Sequence, residues 1–528
     1  MSGTAIKELP SSIQHLTSLT SLTLINCYKL ECLPNTTCGV KLRGALNLSA
    51  CSGFKNLPKK LWMLEDLEML DLSNTAIKEL PSSIEHLTSL TLLTLKDCKN
   101  LVHLPCTICN LKSLESLDLS GCSIFDNLPK NLVNVKGLKK LDLSGTAIKE
   151  LPSSIQHLTS LTSLTLLNCY KLECLPNTTC GVKLRGALNL STCSGFKNLP
   201  EKLWMLKDLE MLDLSSTTIK ELPSSIELLE DLKMLDLSSI AIEVLPLSIE
   251  RLTNLIILNL RHCMNFVGLP NTICNLTLLK TLDLYGCLKF ENLPENIGNI
   301  KGLEELNLLW TAIKEVPSSI VLLKNIKQLC IRGWKLSEFD SQSASLESMD
   351  PLWISLLYLP TGPTMERILL PSFIYSSLPT SSNLVGLLFP SLLDLQSLTY
   401  LYLRHCNLLS IPNDIGCLSS LEFLDLSGNN FVSLPESISQ LSHLQALYLE
   451  GCKRLQSLEN VPLSIDSVMA DDCTSLERLP ELQFYRFGSD CPYLQFLFIN
   501  CFKLVDNIQS VNNMLQVSLS LSLSLSKF

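Results

Sequence analysis

One returning phrase limits what this chain can fold into more than any other feature. Leu141 to Ile155 reads LDLSGTAIKELPSSI. It recurs as LDLSNTAIKELPSSI from Leu70, LDLSSTTIKELPSSI from Leu212 and LNLLWTAIKEVPSSI from Leu306, and a shortened copy starts at Gly3. Beneath the copies runs one frame: L-x-x-L-x-L-x-x-C/T/N, two or three residues to a leucine, then L-P-x-x-I-x-x-L. The leucines of L-x-L are two apart, so both face one side of a strand and the residues between them face the other. The Cys, Thr or Asn that follows ends the strand and turns inward, where it is expected to bond to the backbone of a neighbouring coil. Proline after leucine suits the start of a short helical turn. A single coil cannot cover its own leucines, so coils must stack.

That frame is identified as the leucine-rich repeat. It implies an α/β solenoid, a horseshoe with a concave parallel β-sheet and short helical or 3-10 convex turns. The inward ladder runs through Thr4, Cys27, Cys51, Thr75, Cys98, Cys122, Thr146, Cys169, Cys193, Thr217, Ile240, Cys263, Cys287, Thr311 and Trp334. It resumes at Cys406, Asn429, Cys452 and Cys473. Most steps are 24 residues after Cys and 23 after Thr, so the Thr turn is one residue shorter. Residues 3–85 return at 145–227 with few changes, a segmental duplication whose two copies count once as evidence.

The frame divides the chain. Residues 1–340 form one repeat block whose first unit is partial, and 341–388 an irregular insertion with room for one degenerate coil from Met365 to Pro379. Residues 389–474 form a second block, 475–510 a terminal degenerate repeat containing FINCFKL, and 511–528 a low-complexity tail. Met1 falls in the turn of a coil with no polar cap, so the chain is expected to be a piece of a longer protein. In TTCGVKLRGAL, Thr37 and Arg43 fall where Ile and Leu belong. Burying an unpaired arginine is costly, so a register adjustment using Leu42 is expected.

Composition enters only to exclude. The 51 acidic and 42 basic residues leave a net charge of −9 without blocks, which gives no footprint for nucleic acid. The apolar run from Leu384 is short and broken by Pro390, and no signal sequence opens the chain, so no membrane partner is expected. Of 22 cysteines, twelve sit on or beside the ladder, where a thiol serves as a small hydrophobe. Reduced cysteines in a reducing compartment are expected. Cys106 and Cys109 form a lone C-x-x-C without the second pair that zinc needs. The sequons at Asn35, Asn47, Asn177, Asn189 and Asn275 are read as chance matches.

The Cys/Thr ladder, the phrase LSGTAIKELPSSI, the motif IPNDIGCLSSLEFLDLSGNNFVSLPESI from Ile411 and FINCFKL from Phe498 together resemble one family. It is the repeat region of plant intracellular nucleotide-binding immune receptors headed by a Toll/interleukin-1-receptor domain, the disease-resistance proteins. The resemblance covers nearly the whole chain. It implies a non-enzymatic module, cytoplasmic or nucleo-cytoplasmic, that senses a protein partner: a pathogen effector, a host protein or the receptor's own nucleotide-binding domain. The phosphate-binding G-x-x-x-x-G-K-[ST] is absent, so no nucleotide site is carried over. An intracellular scaffold of the Ras-associated repeat kind shares the L-P-x-x-I frame, but its repeats are usually uniform. The repeat part of an enzyme, such as a bacterial ubiquitin ligase, would need shorter repeats and a helical catalytic domain.

No Ser–His–Asp, Cys–His or paired-carboxylate set stands apart from the repeat, so no catalytic residue, cofactor or metal ligand is assigned. His15, His86 and His157 are copies of one convex position. The concave column Asp71, Asp118, Asp142, Asp213, Asp236, Asp283 and Asp425 reads as ordinary L-D-L-S filler. One contrast stands out. Just after the strand leucines most early units carry small residues, such as Ser73/Asn74, Ser144/Gly145 and Ser215/Ser216. Later units carry Arg261/His262, Tyr285, Trp310 and Arg332, then Arg404/His405 beside Tyr400 and Tyr402. Arginine and aromatics are enriched at binding hot spots, and these nine are the candidate partner-binding residues. Arg261, Tyr285, Trp310 and Arg332 should make one strip at ~5 Å per coil, with Tyr402, Arg404 and His405 as a far wall. Such a strip suits an acidic or flat apolar protein surface.

Overall fold

Each L-x-L step yields one short strand. The computed structural model describes residues 2–16, 18–34, 42–58, 64–176, 184, 186–199, 208–332, 392–462, 465–479 and 495–506. Among them nineteen strands form one parallel sheet, paired in chain order from β1 (Leu22–Thr23) to β19 (Gln495–Leu497). Leucine lies opposite leucine at the centre of the ladder, as in Leu46↔Leu70 and Leu258↔Leu282. These leucines are fully buried on the convex side of the sheet, while their neighbours in the strand face the concave side.

On the convex side the L-P-x-x-I segment makes single 3-10 turns such as Ser82–His86 and Asn413–Cys417. The proline stands one residue before the turn rather than inside it: Pro81 is extended, at φ −68° and ψ 149°. Its carbonyl accepts the Ile84 N–H at 3.0 Å, so what the turn uses is the proline's oxygen. His15, His86 and His157 end these turns and are exposed.

The inward ladder separates into two chemistries. Cys51 Sγ donates to Leu24 O of the preceding coil at 2.8 Å, Cys98 to Leu72 O at 3.1 Å and Cys263 to Leu237 O at 3.0 Å. Threonine bonds a different carbonyl. Thr75, Thr146 and Thr311 each donate to the carbonyl three residues back in their own coil, at 2.7, 2.6 and 2.8 Å. The expectation of a bond to the neighbouring coil's backbone therefore holds for Cys and is corrected for Thr, which bonds its own carbonyl and meets the next coil only through a cysteine sulfur, as Thr75 Oγ1 meets Cys98 Sγ at 3.4 Å. Asn429 does both, through one Nδ2 to Leu403 O and Leu426 O, each at 2.7 Å.

A second parallel contact on the flank explains the missing residue of the Thr coils. The bridges Glu79↔His103 and Glu150↔Cys174 join the fourth residue after Thr to the fifth after Cys. Further in, Phe54, Phe125, Phe196, Phe266, Phe290 and Phe431 fill a core column that the leucine frame does not announce. Phe266 and Phe290 stack with centroids 6.0 Å apart. Leu42 is buried, while Arg43 turns out to solvent, 3.5 Å from Asp66, which is the register adjustment expected.

The two repeat blocks share one sheet. β14 (Gln328–Arg332) pairs directly with β15 (Tyr400–Arg404), placing Arg332 beside Arg404. Trp334, the degenerate coil, Thr37, the sequons at Asn35 and Asn177, and the tail lie outside the described residues. FINCFKL continues the ladder: Cys501 Sγ donates to Ala470 O at 3.1 Å, and helix α1 (Phe502–Asp506) follows. Among the described residues no helix is long and apolar enough to cross a membrane.

Candidate functional site

Strands that carry Asp or Asn between their two leucines leave the sheet through one device. The Asp or Asn between the two leucines accepts the backbone N–H two residues on: Ser73 N–H to Asp71 Oδ1 at 2.9 Å, Ser144 to Asp142 at 2.9 Å, Tyr285 to Asp283 at 2.9 Å. In early coils the serine Oγ donates to the same oxygen, at 2.6 Å for both Ser73 and Ser144. The aspartate column is thus structural, as its reading as repeat filler implies. Asn47 and Asn189 sit in it with Oδ1 held by Ser49 and Ser191, while Asn275 lies exposed with Nδ2 on Glu250.

The next residue adopts the left-handed region, for example Asn74 at φ 57° and Gly145 at φ 67°. Asn and Gly tolerate this backbone; bulkier residues hold it at a cost. Three bulky rings sit there: His262 at φ 56°, Trp310 at 58° and His405 at 52°. Trp310 is therefore one position beyond the column of Arg261, Tyr285 and Arg332, and Leu309 occupies that column in its coil. After each histidine the next coil has glycine. A Cβ on Gly286 would lie 2.6 Å from His262 Nδ1, and one on Gly428 would strike the His405 ring. The glycines are notches that receive the imidazoles.

The candidate strip forms, with changes. Arg261 lies over the Tyr285 ring, 4.8 Å from its centroid, and His262 meets the same ring edge-on at 5.0 Å. Arg332 stacks on Trp310 at 3.6 Å. Arg404 is the next neighbour of Arg332 in the sheet, so it extends the strip and is no far wall. The arginines are not loose positive charges. Arg261 is largely covered and 3.6 Å from Asp283; Arg404 is 3.4 Å from Asp425 and 3.2 Å from Glu450. An acidic partner surface loses its main rationale, because carboxylates of the chain already face two of the three guanidiniums.

Tyr402 departs furthest from expectation. It is 8% exposed and belongs to a concave apolar cluster with Cys330 and Phe423, flanked by Leu309, Tyr400, Ala446 and Tyr448. The Phe423 ring is 4.8 Å from Tyr402, 4.8 Å from Tyr448 and 6.2 Å from Tyr400. Asp283, Phe423, Tyr448 and Glu450 belong to the site but not to the sequence-derived set. Reading the concave columns down from Tyr400 and Tyr402 would have found the two aromatics.

Burial shapes the charges. It pushes Asp283 up from 3.8 to about 6, against the opposing pull of Arg261 and of hydrogen bonds from Tyr285 and Asn307. Burial also raises Asp425 and Glu450, while Arg404 draws both back down. His262 is lowered, by burial and then by Arg261, which favours the neutral ring.

The family described as "Leucine-rich repeat region" matches residues 40–124, 182–291 and 381–525, well over half of the chain. TMV resistance protein N of Nicotiana glutinosa is 40% identical over 104 residues, which are 20% of this chain and 9% of that protein. Disease resistance protein RPS6 of Arabidopsis thaliana is 42% identical over 97 residues, 18% of this chain and 8% of that protein. The matched segments thus span less than a tenth of these relatives. The Leptospira interrogans LRR protein LIC12759 superposes with a TM-score of 0.51 at 25% identity, covering 88% of this chain and 94% of its own. The ectodomain of the Arabidopsis receptor kinase GASSHO1/SCHENGEN3 gives 0.51 at 21% identity, covering 93% of this chain and 57% of its own, a likeness of fold alone.

Proposed function

This chain belongs to the leucine-rich repeat region family, and on that premise we propose that it is a protein-recognition module of a plant disease-resistance protein. It works by binding, without catalysis, in the cytoplasm or between cytoplasm and nucleus. Its partner is a pathogen effector, a host protein or the nucleotide-binding domain of a larger receptor. The relatives are named for disease resistance, which favours this reading over an intracellular scaffold.

The observation that carries it is the strip at the strand exits, Arg261 on Tyr285 and Arg332 on Trp310, with Arg404 alongside. Planar cations stacked on rings offer broad rigid contact area with little side-chain entropy left to lose. Most equivalent early positions offer small residues such as Ser73/Asn74, Ser144/Gly145 and Ser215/Ser216, with Ile25, Lys96 and Leu167 as exceptions.

The test uses the full chain and two double variants as immobilised baits in extracts of healthy and infected leaf. W310A/R332A removes the stacked pair; S144A/S215A trims the matched early positions. Hot-spot side chains cost ~2 kcal/mol or more each, so a partner held by wild type should bind W310A/R332A roughly a hundredfold more weakly. S144A/S215A should retain it. Equal, small losses in both would mean the strip is ordinary surface.

A further inference from the structure

At the far end of the same concave face the charges turn against the strip. From β15 through β16 (Phe423–Asp425), β17 (Ala446–Tyr448) and β18 (Ser467–Met469), the concave columns hold Asp425, Glu450, Asp471 and Asp472. Arg404 is the guanidinium among them, with the half-buried His405 beside it. Arg404 reaches Asp425 at 3.4 Å, then crosses a whole coil over the small Ser427 to Glu450 at 3.2 Å. Asp471 and Asp472 remain: Asp471 Oδ1 accepts the Ile499 N–H at 2.7 Å and Asp472 Oδ1 accepts Asn500 Nδ2 at 2.8 Å. Both bonds are to neutral donors and leave the carboxylate charge standing.

Alongside these carboxylates lies the aromatic cluster. Phe423 and Tyr448 are 4.8 Å apart and tilted 34°, and Tyr448 is half-buried on the concave face. Glu450 follows Tyr448 two residues on and points to the same side of the sheet. An aromatic face next to an excess of carboxylates attracts a cation twice, through the ring quadrupole and through charge. A concave surface lined by one sign of charge concentrates the electrostatic attraction.

We propose that this end of the concave face, around Tyr448, Glu450 and Asp471, docks a basic segment of the protein partner. An arginine or lysine would lie over the Tyr448 ring with its charge toward Glu450 and Asp471. The proposal rests on the recognition reading above and assigns its charge: the arginine strip supplies stacked planar surface, and this neighbouring patch supplies the electrostatic anchor. Burial, together with Asp425, Asp471 and Asp472, pushes Glu450 above the usual carboxylate range, and Arg404 only partly opposes this. An added cation would relieve that destabilised charge.

The experiment measures fluorescence anisotropy of a labelled Gly–Arg alternating hexapeptide with the full chain at low salt, beside its Gly–Glu counterpart. The Gly–Arg peptide should bind saturably and the Gly–Glu peptide should not. E450Q/D471N keeps the hydrogen-bonding shapes and should weaken binding at least tenfold. Y448L keeps the charges and should weaken it at least threefold. E8Q/E230Q removes equal charge from exposed positions elsewhere and should stay within twofold. Equal losses in the two charge pairs, or no loss in Y448L, would reduce the effect to diffuse attraction by a chain of net charge −9 and overturn the proposal. Preference for the Gly–Glu peptide would overturn it too. Should that happen while W310A/R332A still loses its leaf partner, the recognition reading stands and only the basic anchor falls.

Discussion

Gly286 offers the sharpest test of how the strip is built. It holds φ 75°, and a Cβ there would lie 2.6 Å from His262 Nδ1. Gly145 holds nearly the same backbone, φ 67°, yet its Cβ would meet only glycine backbone at 3.6 Å, an ordinary contact. Gly145→Ala therefore carries the left-handed penalty alone, about 1–2 kcal/mol. Gly286→Ala carries that penalty plus the displacement of an imidazole wedged against Tyr285 at 5.0 Å, an overpacking cost of about 1–3 kcal/mol more. Removing the ring should remove only the second part. In His262→Ala/Gly286→Ala the cost of the alanine should fall back to the Gly145→Ala value, giving a coupling of about 1–3 kcal/mol.

Long repeat arrays do not melt as one unit, so the assay is local. Native-state hydrogen exchange would follow the strand amides of β12 (Thr281–Asp283) and β13 (Glu305–Leu308) in the four variants, against β6 (Lys140–Asp142) for Gly145→Ala. If Gly286→Ala loosens its coil no more than Gly145→Ala does, or if deleting His262 fails to restore it, the notch is not what holds the ring.

Two more outcomes follow from burial. Cys32, Cys106, Cys174 and Cys417 are exposed and should alkylate at once in native protein. The buried ladder thiols, with Cys122 and Cys263 pushed up to about 12, should react only after denaturation without reductant, and then as free thiols. Asp283 binds its proton more tightly folded than unfolded, so it contributes most stability below about pH 4 and loses it as pH rises through about 6. At about 1.4 kcal/mol for each tenfold in proton affinity, wild type should lose about 3 kcal/mol relative to Asp283→Asn across that window. A pH-independent difference in local exchange would refute it.

The architecture was legible because a strict frame admits few solutions, and Arg43 could be turned outward on paper because an unpaired buried guanidinium has no tolerable site. Two things were hidden for physical reasons. Whether a ladder side chain bonds the preceding coil or its own depends on side-chain reach that the letters C and T do not display. Which coil follows β14 depends on the 67 residues between Arg332 and Tyr400, whose repeat frame is lost, so the adjacency of Arg332 and Arg404 could not be read. The glycine notches were written in the sequence, His262 with Gly286 and His405 with Gly428. They surface only when the left-handed column is read down the coils.

The arginine strip and the strand-exit device turn out to be one construction. In early coils the residue two after the aspartate is serine, whose amide and hydroxyl both go to Asp71 or Asp142. Each such carboxylate is served within its own coil, and nothing projects. In the coil of Asp283 that residue is Tyr285, which gives its amide but does not supply the serine's short hydroxyl bond. A buried carboxylate served by fewer donors of its own coil must find a cation or take a proton. Asp283 meets Arg261 across the coils at 3.6 Å and still keeps a raised proton affinity. Asp425 has its serine amide from Ser427 at 3.0 Å, yet lies almost wholly buried and meets Arg404 at 3.4 Å. Asp425 keeps its serine and meets an arginine all the same, whereas in the coil of Asp283 the exchange of serine for tyrosine does two things at once. It adds a ring to the concave face, and it turns a local cap into a carboxylate that fixes an arginine's orientation beside that ring.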